Sequence, residues 1–423
     1  MWRHALSTCT FFVAILLAPR GLAAAPAPAP DSAHVPLAPM AGVGHPVDWW
    51  FTFKFNTKTF AGCGDGAARA CPFGGTPKTY SFGQQYVSAS SAAPELKKGG
   101  GCVGSTEDDP VGATYARIYE GDSYFVVWND QFYDDPVIKG CKTECGGPWG
   151  HSKGILAWDD SGAGLVMQVS TPSWPAAGAR AFPRASDGNT LGCVRDDNVL
   201  VSQHFFAVRL SKDDVLSVLD ALQNASVVTD PGNRQIIHTG GPADIRAAVA
   251  RLGTRSQATT ATTVRLSTGV GLISKPSKLH VPPWQMVSAT LGGVSLRTAT
   301  WWAAPFIYST TATTALACWD ASLGKPGAVD IATTGQWQQV SMGLRGGKGP
   351  DFNHAKIGVT TSGTARLSIF GDMNQQGTRS GPACDSSQNG RGGLFYVVEN
   401  ATLADGVAAL LHGASAPTMP PPK

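Results

Sequence analysis

The sequence predicts an α/β chain built as two halves of similar grammar that share one site. Three observations lead there. His151-Ser152-Lys153 and His354-Ala355-Lys356 are two His-x-Lys triplets, each opening an apolar run, Ile155-Leu156-Ala157-Trp158 in one case and Ile357-Gly358-Val359 in the other. Around each triplet the order reads strand, triplet strand, turn, return strand, polar strand end, helix. Residues 213–222 and 243–252 carry apolar side chains at helical spacing, so helices interleave with strands. One His-x-Lys arises often by chance, but two in the same local setting suggest halves that meet. Within a strand, residues two apart share a face, so each triplet would direct an imidazole and an ammonium into one cleft.

The elements follow in order. Pro46 opens an aromatic strand through Trp49, Trp50, Phe51 and Phe53. Residues 61–77 form a Gly-rich loop with two cysteines. Residues 113–119 and 124–130 read as strands split by the turn Glu120-Gly121-Asp122. The first triplet strand turns at Asp159-Asp160-Ser161-Gly162 and returns over residues 164–170. The helices at 213–222 and 243–252 follow. Strand-like runs at 264–267, 271–275 and 287–291 then lead to the second triplet. Its return strand, 365–370, ends in Gly371-Asp372-Met373-Asn374, and residues 403–411 close the fold as a helix. The domain reading is a first half at 46–255, a second at 256–413 and a loose tail at 414–423.

A basic start, an apolar stretch at residues 8–18 and Ala23-Ala24-Ala25 give residues 1–25 the form of a secretory signal, followed by an Ala/Pro-rich linker at 26–45. No later stretch is long and apolar enough to span a bilayer. Without Arg3 and Arg20, the 33 basic residues are nearly balanced by 30 acidic ones. That excludes a polycationic coat, so any phosphate site must be a local cleft. Of nine cysteines, Cys9 lies in the signal. The even remainder, in an exported chain, reads as up to four disulfides. Cys63 with Cys71, and Cys141 with Cys145, are close enough to pair locally. A metal site at Cys141, Cys145 and His151 is a rival reading, with a spacing that fits no zinc pattern well. His45, His204, His238, His280 and His412 have no partner motif and are expected to be structural or surface residues. Trp49, Trp50 and Trp174 are expected in the core.

Several short pieces, taken in order, resemble the deoxyribonuclease II family: Pro46-Val47-Asp48-Trp49-Trp50, Trp128-Asn129-Asp130-Gln131, Gly150-His151-Ser152-Lys153-Gly154, Ser170-Thr171-Pro172-Ser173-Trp174-Pro175, Ser274-Lys275, His354-Ala355-Lys356, Gly371-Asp372-Met373-Asn374 and Arg391-Gly392-Gly393. Leu394 follows the last piece where the family has cysteine, and Ser173 stands where Asn or Asp is usual. The family is similar in fold to the phospholipase D superfamily. The resemblance therefore implies a pseudo-dimer: two β-sandwich-like mixed sheets flanked by helices, with the active site at their interface.

The implied activity is cleavage of DNA phosphodiesters by an acid endonuclease, leaving 3′-phosphate and 5′-hydroxyl ends. The chemistry needs a nucleophile, an acid for the leaving oxygen and positive donors around the phosphoryl oxygens. One neutral imidazole attacks phosphorus to give a phosphohistidine, and the other, protonated, serves the leaving oxygen. Lys153 and Lys356 clamp the non-bridging oxygens in place of a metal, so neither metal nor other cofactor is required. His151 is preferred as nucleophile and His354 as acid, although either ring can fill either role. Ser170 and Asn374 are candidates for contacting the substrate, and Asp372 for orienting a histidine. The expected setting is secreted or periplasmic, or lysosomal in an animal, with DNA as partner and no membrane. Alternatives are a phospholipase D-like enzyme acting on phospholipid, and a non-catalytic exported binding module.

Overall fold

The computed structural model describes residues 1, 37–60, 73, 85–104, 107–133, 135–141, 144–185, 191, 200–378 and 383–419. The signal and most of the Gly-rich loop lie outside the described residues, as do Cys63, Cys71 and Cys193. The body from Pro36 onwards is a mixed α/β unit.

The chain opens with β1 (Trp49–Lys54), β2 (Tyr86–Ser90) and β3 (Ala93–Lys98), then α1 (Pro110–Tyr119) and β4 (Tyr124–Asn129). The first triplet leads into β5 (Lys153–Trp158), followed by β6 (Gly164–Val169), β7 (Gln203–Leu210), α2 (Lys212–Asn224), β8 (Ile237–His238) and α3 (Ala243–Val249). These eight strands form one antiparallel sheet in the order β3-β2-β1-β7-β6-β5-β4-β8.

The rest of the chain gives β9 (Thr262–Arg265), β10 (Gly271–Lys275), α4 (Pro283–Thr290), β11 (Leu296–Ala299) and β12 (Val329–Ile331). The small hairpin of β13 (Thr334–Trp337) and β14 (Val340–Gly343) precedes β15 (Ile357–Thr360), β16 (Leu367–Gly371), β17 (Gly393–Glu399) and α5 (Ala401–Leu410). The second sheet runs β12-β11-β15-β16-β17-β10-β9 and is mixed, because β11 and β12 pair in parallel.

Phenylalanines join the sheets. Phe51 of β1 and Phe206 of β7 stack on Phe370 of β16, with ring centroids 4.3 and 4.8 Å apart. Phe206 also meets Tyr396 of β17. The other face of β1 is covered as well, since Trp50 reaches the Thr114 hydroxyl of α1 with its indole N–H at 2.9 Å. A strand buried on both faces needs a continuous apolar run, and β1 has one. Helix α2 packs on β6 and β7 of one sheet and on β10 and β17 of the other. It is locally well specified, because Ser211 and Asp214 form a capping box at its start.

Two segments read as strands are helices. Residues 113–119 belong to α1, where Asp109 caps the Gly112 N–H at 2.9 Å and Pro110 occupies the first turn. Residues 287–291 fall in and just beyond α4, which starts at Pro283 behind Pro282. In both, the helix start signal overrides the strand propensity of the residues that follow. The triplets also sit differently from the in-strand reading. His151 and Ser152 precede β5, and the whole second triplet precedes β15. Cys141 pairs with Cys145, which takes both thiols out of the rival metal set, and Cys318 pairs with Cys384.

Candidate active site

Strand ends converge on the two triplets. The carboxyl ends of β4, β6 and β16 and the amino ends of β5, β7, β15 and β17 supply residues on or beside them. Carboxyl ends of strands carry polar residues here because the pleated ladder stops and the backbone turns away. Gly154 lets β5 lie close to its neighbours: a Cβ there would sit 2.5 Å from the Met167 carbonyl and 2.6 Å from the Trp128 ring.

The His151 ring donates from Nδ1 to the Asp372 carbonyl oxygen, 2.7 Å away in the second sheet's strand end. A carbonyl can only accept, so Nδ1 carries the proton and a neutral ring presents a bare Nε2. Burial holds this imidazole well below the usual histidine range. Lys153, Arg391 and Lys356 push the same way, against Asp130. The His151 backbone N–H is fixed as well, donating to the Gly392 carbonyl at 2.8 Å.

His354 is buried, and Trp301 stands edge-on to its ring at a centroid distance of 5.0 Å. Burial lowers this imidazole too, well below the usual range. Lys356, Lys153 and His151 add to that, while a hydrogen bond to the Ser170 backbone opposes it. His354 therefore feels the charges of both triplets, and the backbone N–H of each triplet's histidine donates to a carbonyl from the opposite sheet, His151 to Gly392 and His354 to Ser202.

Lys153 ion-pairs with Asp130, which is 1% exposed. The other carboxylate oxygen of Asp130 accepts from Arg391 at 2.8 Å. Burial pushes this carboxyl up, but the charges of Lys153, His151 and Arg391 prevail and hold it well below the usual carboxylate range. Arg391 also donates to the carbonyls of Trp149, Cys145 and Gly150. Lys356 donates to the His354 carbonyl at 2.6 Å. Burial pushes its ammonium well below the usual lysine range, with Lys153 adding to this and Asp130 and Asp372 opposing it.

Asp372 orients His151 through its carbonyl rather than its carboxylate. Burial pushes the carboxyl up to about 7, against hydrogen bonds from Ser152 and the Leu394 N–H and the charges of Lys153 and Lys356. Ser152 is itself held by the Trp128 indole at 2.8 Å. Ser170 donates its hydroxyl to Gln203 at 2.5 Å and accepts from the His204 N–H at 2.9 Å. Asn374 is joined to Gln376 and Gln388 among the described residues, not to either triplet.

Asp130, Arg391 and His204 are the site residues that pattern reading left without a role. The first two lie inside pieces quoted for the family resemblance, which was the available signal. His204 gave none. The deoxyribonuclease II family model matches residues 40–302. The chain belongs to the deoxyribonuclease II family. Family membership implies a nuclease hydrolase with DNA as its substrate class. The match includes His151 and Lys153 and ends before His354 and Lys356, which the fold brings to the same place. No curated protein matches the chain. Among the described residues no helix is long and apolar enough to cross a membrane.

Proposed function

We propose that the protein is an exported acid endodeoxyribonuclease that cleaves DNA through a phosphohistidine, without a metal. On this reading the two sheets are the halves of a phospholipase D-like pseudo-dimer, spanning residues 46–255 and 256–413. One observation carries the reading: the His151 Nδ1–H is held by the Asp372 carbonyl at 2.7 Å. That bond fixes the tautomer a nucleophile needs and ties the first triplet to the strand end behind the second.

The bare Nε2 of His151 attacks phosphorus as the P–O5′ bond breaks, and His354 gives its proton to the departing 5′ oxygen. The phosphoryl group, still ester-linked to the 3′ oxygen, is then bonded to His151. Neutral His354 takes a proton from water, the new P–O bond forms, the P–N bond breaks, and a 3′-phosphate leaves. Lys153 and Lys356 offset the charge on the non-bridging oxygens. Below about pH 7 the Asp372 carboxyl holds its proton, so it adds no anion against the phosphate.

Both imidazoles are kept neutral in the free protein by burial, so the acid role of His354 needs low pH and the arrival of an anionic phosphodiester. That supports an acid optimum. The test is supercoiled plasmid at about pH 5 with excess EDTA. Nicking that persists, with products that bear 3′-phosphate, fits the proposal. Nicking abolished by the chelator and restored by a divalent ion ends it.

A further inference from the structure

Just before β7, the chain runs alongside the second triplet in a short parallel ladder. The Ser202 N–H donates to the Phe352 carbonyl at 2.9 Å, and the His354 N–H donates to the Ser202 carbonyl at 2.8 Å. Continued by one step, the ladder would have the Lys356 N–H donate to the His204 carbonyl. That carbonyl is already engaged by the backbone N–H of Ser170 at 3.1 Å. The His204 ring takes its place: the Lys356 N–H donates to His204 Nδ1 at 3.1 Å. On its other side the Lys356 carbonyl accepts from the Gly371 N–H at 2.9 Å. The peptide that carries the catalytic lysine is thus gripped between the two sheets, with an imidazole as one jaw.

We infer that His204 is a positioning residue of the phosphodiester-cleaving site, whose Nδ1 replaces a missing ladder carbonyl and aims His354 and Lys356. The inference rests on the nuclease reading for its catalytic consequence and on geometry for the grip itself. Nδ1 must carry a lone pair, so the ring is neutral and protonated on Nε2. Nε2 is buried and finds no hydrogen-bond partner among the described residues, so nothing else turns the ring. Burial, and then the charge of Lys356, keep the imidazole well below the usual histidine range. A buried polar atom left unpaired is costly, which makes a histidine retained for packing alone a poor choice at this position.

Asparagine sets an oxygen where histidine has Nδ1, and leucine sets a methyl group there. His204→Asn should therefore keep most of the rate. His204→Leu should lower kcat about 10- to 100-fold, because a displacement near 1 Å at a catalytic group has that effect. KM should stay within about twofold, since substrate binding and transition state are separable here. Amide exchange at Lys356 should stay slow in the wild type and in His204→Asn and quicken in His204→Leu. In the wild type, imidazole nitrogen NMR should show His204 protonated on Nε2 and not on Nδ1 between about pH 5 and 7. A proton on Nδ1, or equal losses in the Asn and Leu variants, overturns the inference, and the NMR result does so even if the Leu variant does not fold. A wild type inert on DNA would instead sink the nuclease reading, leaving the grip to be judged by exchange and NMR.

Discussion

Asp130→Asn probes the charge balance of the site most directly. The native carboxylate meets Lys153 through one oxygen and Arg391 through the other, in a place almost closed to water. The amide offers one acceptor and one NH2 group, so one of the two cations must face a donor. Removing one partner of a buried ion pair costs about 3–5 kcal/mol, mostly because the remaining charge is stranded. Against a stability of about 5–15 kcal/mol the variant still folds. It should melt roughly 5–10 °C lower, a shift scaled for a chain of this size. Activity should fall about 100-fold, since Lys153 loses its anchor beside the reacting phosphate. Calorimetry at neutral pH and plasmid nicking under acid conditions read the two effects. Adding Lys153→Met to Asp130→Asn should cost far less than the sum of the two single changes, because residues in one network couple by about 0.5–3 kcal/mol. A single variant that melts within about 1 °C of the wild type, or strict additivity in the double, would refute the ion-pair argument.

The other predictions concern the rings and one glycine. His151→Ala should abolish nicking to a residual level at least about 10³-fold down. His354→Ala should retain attack only on substrates with good leaving groups, detected as a burst of nitrophenol with a phosphorylated protein. Activity should fall as pH rises from about 5 to 7, because His354 must be protonated in the complex and its neutral form is favoured by burial. Stability should move the opposite way. His151, His204 and His354 all have lowered folded values, so the unfolded chain binds more protons below about pH 6.5, and stability is lost as pH falls through that range. Melting curves at acid and neutral pH give the sign directly, and a higher melting temperature in acid would contradict it. Gly154→Ala would press a methyl group into the Met167 carbonyl and the Trp128 ring, costing about 1–3 kcal/mol in a melt.

The triplets were legible from their spacing before an apolar run, although the in-strand placement was not, because the strands begin only at Lys153 and Ile357. The aromatic strand β1 and helices α2, α3 and α5 were legible for the same kind of reason, since their burial is periodic or continuous. Helix α1 reads as a strand because Tyr115, Ile118 and Tyr119 suit strands, while the deciding residues, Asp109 and Pro110, lie ahead of that apolar run. The same holds for α4 behind Pro282 and Pro283. Asp130 and Arg391 could not be paired from sequence, because their contact crosses 261 residues and depends on how the strand ends converge. His204 was out of reach for a further reason: its role arises from a backbone carbonyl already engaged by Ser170, and no local pattern encodes that.

The contacts around the two triplets run repeatedly from one sheet to the other. Each triplet's histidine is held in part by the other sheet. His151, entering β5, is fixed by Asp372 at the end of β16 and by Gly392 before β17. The main chain of His354, before β15, is fixed by the Ser202 carbonyl just ahead of β7. Two further contacts cross in the same way: the Arg391 guanidinium reaches Asp130, and the Lys356 backbone N–H donates to His204. A hydrogen bond between elements far apart in sequence carries the entropy of closing a long loop, so these bonds depend on the two sheets being assembled. Lys275 of β10 supports the second sheet's side of one of these contacts. Its ammonium, pushed down to about 7 by burial, donates to the carbonyls of Pro276, Asn389 and Arg391 and so stiffens the segment from which Arg391 reaches Asp130. Loosening that segment should therefore disturb Lys153 and His151 on the opposite sheet before it disturbs His354, although Lys275 touches none of the three.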